Sequence, residues 1–167
     1  MPINSPLRIR NAIPADIGTL RDLFRRSSLT NDDDRENLLA NPDALEPSGT
    51  SVQEGRTRVA VTTDGRIVGF VTPLVVRDAF ELEDLFVDPD WMRQGVGRAL
   101  VRDVVGAARR RGLARIEVVA NRHALGFYEK AGFAVEREVE TRFGPTPRMH
   151  LAVSRAEPTP VLRKRGR

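Results

Sequence analysis

Between Leu82 and Val101 the chain changes character twice within twenty residues, and no other stretch restricts the fold as much. An apolar run ending at Val87 reads as a strand, Asp88-Pro89-Asp90 breaks it, and an amphipathic helix begins at Gly95-Val96-Gly97. Leu100, Val101, Val104, Val105 and Ala108 recur at helical spacing and give that helix one apolar face. Glycines at a helix start let backbone N–H groups approach a ligand. The first-turn donors have no partner inside the helix, and with the positive end of the dipole they favour an anion, phosphate above all. The stretch reads as a pyrophosphate cradle on a strand–loop–helix unit. A bare Gly-x-Gly can also ease a turn and nothing more, so the reading depends on a second segment.

That segment is Asn121-Arg122-His123-Ala124-Leu125-Gly126-Phe127-Tyr128-Glu129-Lys130-Ala131-Gly132-Phe133, placed after the next apolar strand. Together the two resemble the GNAT superfamily of acetyl-CoA-dependent N-acetyltransferases, over roughly Leu7 to Val153. The family's loop of Arg or Gln, two free positions, Gly, one free position, then Gly or Ala falls on Met92, Arg93, Gln94, Gly95, Val96 and Gly97. Met92 departs from the pattern, which removes one side-chain contact from a site built mostly of backbone N–H groups.

The resemblance implies an α/β (α+β) fold: a mixed, mostly antiparallel central sheet with a splayed parallel pair and helices on both faces. It implies that acetyl-CoA serves as co-substrate. The pantetheine arm would lie against the backbone of Leu85, Phe86 and Val87, and the pyrophosphate against Met92 to Gly97 with Arg98 and Ala99. Asn121, Phe127 and Tyr128 would border the cofactor, although Asn121 as a simple helix cap would look the same in sequence.

Acetyl transfer from sulfur to nitrogen needs a neutral amine and a protonated leaving thiolate. A primary alkylamine has a pKa near ~10, so a base must remove its proton at neutral pH. Glu81 and Glu83 lie two apart on one strand, so they are expected on one face, with Asp84 on the other. The resemblance favours Glu83 as the base, acting through water, with Glu81 beside it; a solvated pair at the sheet edge is the plain alternative. Tyr128, the only tyrosine, matches the family's general acid, since a phenol can protonate a departing thiolate. There is no cysteine, so disulfides and a thioester on the protein are excluded and direct attack in a ternary complex is the simpler route. His123 and His150 stand in no metal-ligand spacing, and no metal is expected.

The rest of the chain reads in order. Leu7 to Arg10 alternates as a first strand, and Pro14-Ala15-Asp16 starts a helix with Ile17, Leu20, Leu23 and Phe24 on one face. Asn31-Asp32-Asp33-Asp34 before Leu38-Leu39 predicts a short second helix, its carboxylates offsetting the dipole. Asn41 to Gly55 reads as a loop. Asp64-Gly65 between apolar runs predicts a two-residue hairpin with both turn residues at positive φ. Gly112 after Arg110-Arg111 marks a helix end, Ile116 to Ala120 a strand parallel to the one before the helix, and His123 to Ala131 a helix capped by Asn121. Phe133 to Val135 and Arg148 to Val153 supply the last strands.

One domain over residues 1–154 is expected. The formal charge of +4 equals the four cations of Arg163, Lys164, Arg165 and Arg167, in a segment, 155–167, that reads as a basic disordered tail. The balanced remainder argues against nucleic acid as a partner. No apolar run approaches the roughly 18 residues that span a bilayer, and the first residues lack a signal-peptide pattern, so no membrane and a cytoplasmic location are expected. The expected partner is a small-molecule or peptide amine, with a homodimer possible by the resemblance. A dinucleotide enzyme is disfavoured because Leu100 stands where a third glycine belongs. A non-catalytic acetyl-CoA sensor of the same fold is the alternative, against which Tyr128 and Glu83 speak.

Overall fold

The computed structural model describes residues 6–29, 49–141 and 144–154. Strand β1 (Arg8–Asn11) leads through a 3-10 turn (Pro14–Asp16) into helix α1 (Ile17–Leu29). Pro14 enters the turn where no N–H is needed, and the Asp16 carboxylate folds back to accept from the Ile13 N–H at 2.9 Å and from Arg10 at 2.8 Å. Helix α1 buries Leu20, Leu23 and Phe24. The short helix expected at Asn31 to Leu39, and the basic tail, lie outside the described residues. Within the stretch expected as a loop, helix α2 (Gly49–Gln53) is present and buries Ser51 and Val52.

Strands β2 (Arg58–Val61), β3 (Ile67–Val76) and β4 (Ala79–Val87) form an antiparallel meander. The β2–β3 turn differs from the expected one. Of Asp64 and Gly65, only Gly65 has positive φ, at 87°, and the Thr62 carbonyl accepts the Gly65 N–H at 3.0 Å. This is a type I turn closed by a left-handed glycine, which spares Asp64 the strained conformation.

Helix α3 (Val96–Arg111) begins after left-handed Gly95 and ends at left-handed Gly112, where Leu113 N–H reaches the Ala108 carbonyl at 2.9 Å. Strand β5 (Arg115–Val119) follows. A 3-10 turn (Arg122–Ala124) then precedes helix α4 (Leu125–Lys130), and β6 (Ala134–Thr141) and β7 (Gly144–Ala152) close the chain. The last two strands run well beyond their expected limits. Glu136-Arg137-Glu138 sit on an exposed edge strand that has no apolar alternation, and Pro145 and Pro147 lie past the end of the β5–β7 ladder.

Among the described residues the sheet has seven strands in the order β1-β2-β3-β4-β5-β7-β6, and β4–β5 is the only parallel pair. That pair joins Ala79–Leu82 to Arg115–Val118 and then stops, although β4 continues to Val87. Helices cover both faces, as expected. Leu100, Val104 and Ala108 of α3 share a core with Ile116, Tyr128, Phe133 and Met149, while α1 packs Leu20, Leu23 and Phe24 on Phe70. No described helix is long and apolar enough to cross a membrane.

Gly69 of β3 sets how closely the start of α3 lies on the sheet. A Cβ there would stand 2.8 Å from Val96 Cγ1 and 3.1 Å from the Phe86 carbonyl oxygen. Gly69→Ala is therefore expected to lower the unfolding free energy by about 1–3 kcal/mol through overpacking, read as a lower denaturant midpoint at unchanged slope.

Candidate active site

The loop between β4 and α3 is anchored by Asp88, whose side chain is wholly buried. Its carboxylate accepts from the Asp90 N–H at 3.0 Å, which caps the 3-10 turn Pro89–Trp91. It also pairs with Arg26 of α1 at 3.1 Å and with Arg66 of the β2–β3 turn at 3.4 Å. Trp91 packs on the α3 core. Arg93 and Gly95 are then both left-handed, with φ of 63° and 84°. Alternating ordinary and left-handed residues gather backbone N–H groups around an anion. The first bond inside α3 runs from Ala99 N–H to the Gly95 carbonyl, so the N–H groups of Val96, Gly97 and Arg98 have no helical partner.

The two glycines serve different ends. A Cβ on Gly95 would meet nothing within 4 Å, so the space above it is open; a Cβ on Gly97 would strike the Phe127 ring at 2.9 Å. Gly97 thus lets α4 pack on the start of α3. Met92, Arg93 and Arg98 are exposed, Ala99 is half-buried, and Gln94 Nε2 donates to the Asp90 carbonyl at 3.4 Å. Between α3 and α4 a groove carries Arg98, Arg102 and Lys130.

Beside this cradle, β4 is paired on the β3 side but not, after Leu82, on the β5 side. Leu85 and Val87 pack toward α3, and Phe86 meets Phe24 edge-on at 4.6 Å on the opposite face. Their side chains are committed to packing while main-chain groups face the gap. Residues 19–133 match the acetyltransferase (GNAT) family.

The chain belongs to that family.

Among relatives, the ribosomal protein bS18-alanine N-acetyltransferase of Escherichia coli strain K12 is 37% identical over 89 residues, which is 52% of this chain and 60% of that protein. The chain therefore matches less than two thirds of the length of such curated relatives. The solved structure of the PaiA N-acetyltransferase from Thermoplasma acidophilum, in complex with coenzyme A, superposes with a TM-score of 0.73 at 19% identity, covering 88% of this chain and 99% of that one. The solved S18-alanine N-acetyltransferase from Escherichia coli gives 0.63 at 23% identity, covering 90% and 96%. At these identities the likeness shows the fold.

In this GNAT domain the carboxylates of β4 are not arranged as expected. Thr72 pairs with Asp84 and Pro73 with Leu82, so Glu83 is the extra residue of a β-bulge. Leu82 and Leu85 consequently face the same core, and Glu81 shares the opposite face with Asp84 instead of with Glu83. The Glu83 carboxylate meets Arg56 at 3.1 Å. Glu81 lies opposite Glu117 of β5 and 3.7 Å from Arg148. Glu117, buried, is held by Arg148 at 2.5 Å and Arg115 at 2.8 Å.

Tyr128 is buried on α4, edge-on to Phe127 and Phe133 at 5.2 Å each. Burial pushes its phenol well above the usual range. Asn121 occupies the cap position of the turn before α4 but makes no side-chain cap bond; the main chain closes that turn, Ala124 N–H to the Asn121 carbonyl at 2.9 Å. His123 is exposed and His150 half-buried. Among the described residues no His, Cys, Asp and Glu cluster could hold a metal. Sequence reasoning gave Asp84 no role and did not single out the Glu117–Arg148 pair, Arg102 or Lys130. The first two depend on strand register, and the last two on how α3 and α4 pack.

Asp88 should fix the shape of the cradle. Asp88→Ala is expected to cost about 1–3 kcal/mol by leaving the Asp90 N–H unpaired and to speed amide hydrogen exchange over Asp90 to Gly95.

Proposed function

We propose that this GNAT domain is an N-acetyltransferase, moving the acetyl group of acetyl-CoA to a primary amine by direct attack in a ternary complex. The observation that carries the reading is the unpaired edge of β4 beside an open helix-start anion site, with Tyr128 buried on the adjoining helix. Those residues fit the co-substrate. The space above Gly95 admits a pyrophosphate, the backbone of Leu85, Phe86 and Val87 offers amide partners, and Arg98, Arg102 and Lys130 add positive charge where the nucleotide end would lie. Met92 to Ala99 would form the cradle, with Asn121 and Phe127 at its border.

When bound, acetyl-CoA supplies the activated thioester. Tyr128 stays protonated throughout the working pH range, because burial holds its phenol neutral, and it donates to the departing sulfur. A carboxylate of β4 takes the proton of the attacking ammonium; Glu81, Glu83 and Asp84 are the groups present. The acceptor is a small-molecule or peptide amine. Its cationic form suits a stretch of the sheet where Glu81, Glu83, Asp84 and Glu117 outnumber Arg56, Arg115 and Arg148. The bS18-alanine relative is named for an alanine of a ribosomal protein, an acceptor of the peptide class.

One observation favours a non-catalytic acetyl-CoA-binding role instead: both expected bases already have arginine partners, Glu83 with Arg56 and Glu81 with Arg148. Calorimetry and turnover separate the two. The wild type should bind acetyl-CoA. Gly95→Glu should not, yet should stay folded, since its side chain enters open space and the left-handed backbone costs only about 1–2 kcal/mol. With an accepted amine, Tyr128→Phe should lower kcat by about 10²–10⁴-fold with little change in acetyl-CoA affinity. Binding without turnover on any amine or peptide N-terminus would favour the sensor.

A further inference from the structure

The bulge at Glu83 presents a carboxylate that neither expected assignment includes. We propose that Asp84 is the base that takes the acceptor's proton, held in place by a buried string of hydroxyls from Thr72, Thr57 and Ser51; this rests on the acetyltransferase reading above. Asp84 is the second residue beyond the last β4–β5 pair, Leu82 with Val118, so it stands where the strands part. Thr72 is its partner across the β3–β4 ladder, and its hydroxyl hydrogen-bonds the carboxylate. Thr72 Oγ1 lies 3.0 Å from Thr57 Oγ1, and Thr57 Oγ1 lies 3.0 Å from Ser51 Oγ. All three hydroxyl residues are buried.

Donor counting orders the string. Each hydroxyl donates one proton. An ionised carboxylate only accepts, so Thr72 donates to Asp84, Thr57 to Thr72, and Ser51 to Thr57. The three dipoles then point at one carboxylate and fix it without a direct ion pair among the described residues. That separates Asp84 from its neighbours, since Glu81, Glu83 and Glu117 all lie against guanidinium groups. Burial pushes the Asp84 carboxyl upward, opposed by the bond from Thr72; the nearby charges are Glu83, which adds to the rise, and Arg56, which opposes it.

In the step, one ammonium proton passes to an Asp84 oxygen and the freed nitrogen lone pair attacks the thioester carbonyl carbon. The C–S bond breaks, the sulfur takes the Tyr128 proton, and a second N–H proton leaves as the amide forms and restores the phenol. Asp84 returns its proton to solvent, so one proton is released per acetyl group transferred.

Asp84→Asn tests this with four readouts: turnover, acetyl-CoA binding by calorimetry, thermal stability, and carboxyl carbon NMR of Asp84 in the proteins that retain it. Turnover should fall by about 10²–10⁴-fold with acetyl-CoA affinity unchanged. Melting temperature at neutral pH should hold or rise, because a carboxyl raised on folding costs stability once ionised. Thr72→Val removes a bond that favours the ionised form, so both the Asp84 NMR titration and the acidic limb of kcat/KM should move to higher pH. Glu83→Gln should move both to lower pH without abolishing the limb. The proposal is overturned by full turnover in Asp84→Asn, by loss of the limb in Glu83→Gln, or by a limb that ignores Thr72→Val while the NMR titration shifts. A wild type that binds acetyl-CoA but acetylates no amine overturns the acetyltransferase reading and Asp84's role with it.

Discussion

The early end of the β4–β5 pairing is the constraint on which the rest of the structure depends. The two strands share four residue pairs and part, and from that point β4 carries main-chain donors and acceptors with no strand beside them. Such an edge inside a sheet is costly unless water or a ligand satisfies it, so the surroundings must hold it open. Several features do so. The Glu83 bulge re-aims the strand, Phe86 is locked between Phe24 and Phe70, and Gly69 lets α3 press against the sheet through Val96. Asp88, buried and bound from α1, from the β2–β3 turn and from its own loop, fixes the chain as it leaves β4. The cradle is therefore placed by the same contacts that keep the gap from closing.

Most of this architecture was legible in the sequence, because its parts carry local signals. The glycines flanking α3, the apolar period of that helix and the family-like segment around Tyr128 each declare themselves within a few residues. What failed was whatever depends on register. The rule that alternate strand residues share a face put Glu81 with Glu83, and one extra residue between the partners of Thr72 and Pro73 reversed it. The β2–β3 turn had the right residues and a different geometry. The β6–β7 hairpin was read short because its charged edge has no alternation and its prolines argue against a strand; only the ladder to β5 and its end explain both.

The candidate site divides along the same line. Residues named by motif, Gly95 and Gly97 among them, lie together at the start of α3, although Gly97 proved to serve the packing of Phe127. The carboxylates could not be sorted from sequence, because their character is set by partners distant in the chain: Arg56 lies 27 residues from Glu83, and Arg148 lies 31 from Glu117. Facing glutamates on adjacent parallel strands repel, and Arg148 between Glu81 and Glu117 answers that repulsion.

Desolvation treats the two remaining groups alike, and its consequences are opposite. It disfavours the charged form of both Asp84 and Tyr128, raising both. For a carboxylate this strengthens the conjugate base; for a phenol it keeps the proton in place until a more basic atom arrives. Burial therefore makes the one a better base and the other a patient acid, and among the described residues neither is in a direct ion pair. The hydroxyl string stands in place of an ion pair: three buried dipoles can orient Asp84 yet leave it able to accept a proton, where an arginine in their position would have held it ionised.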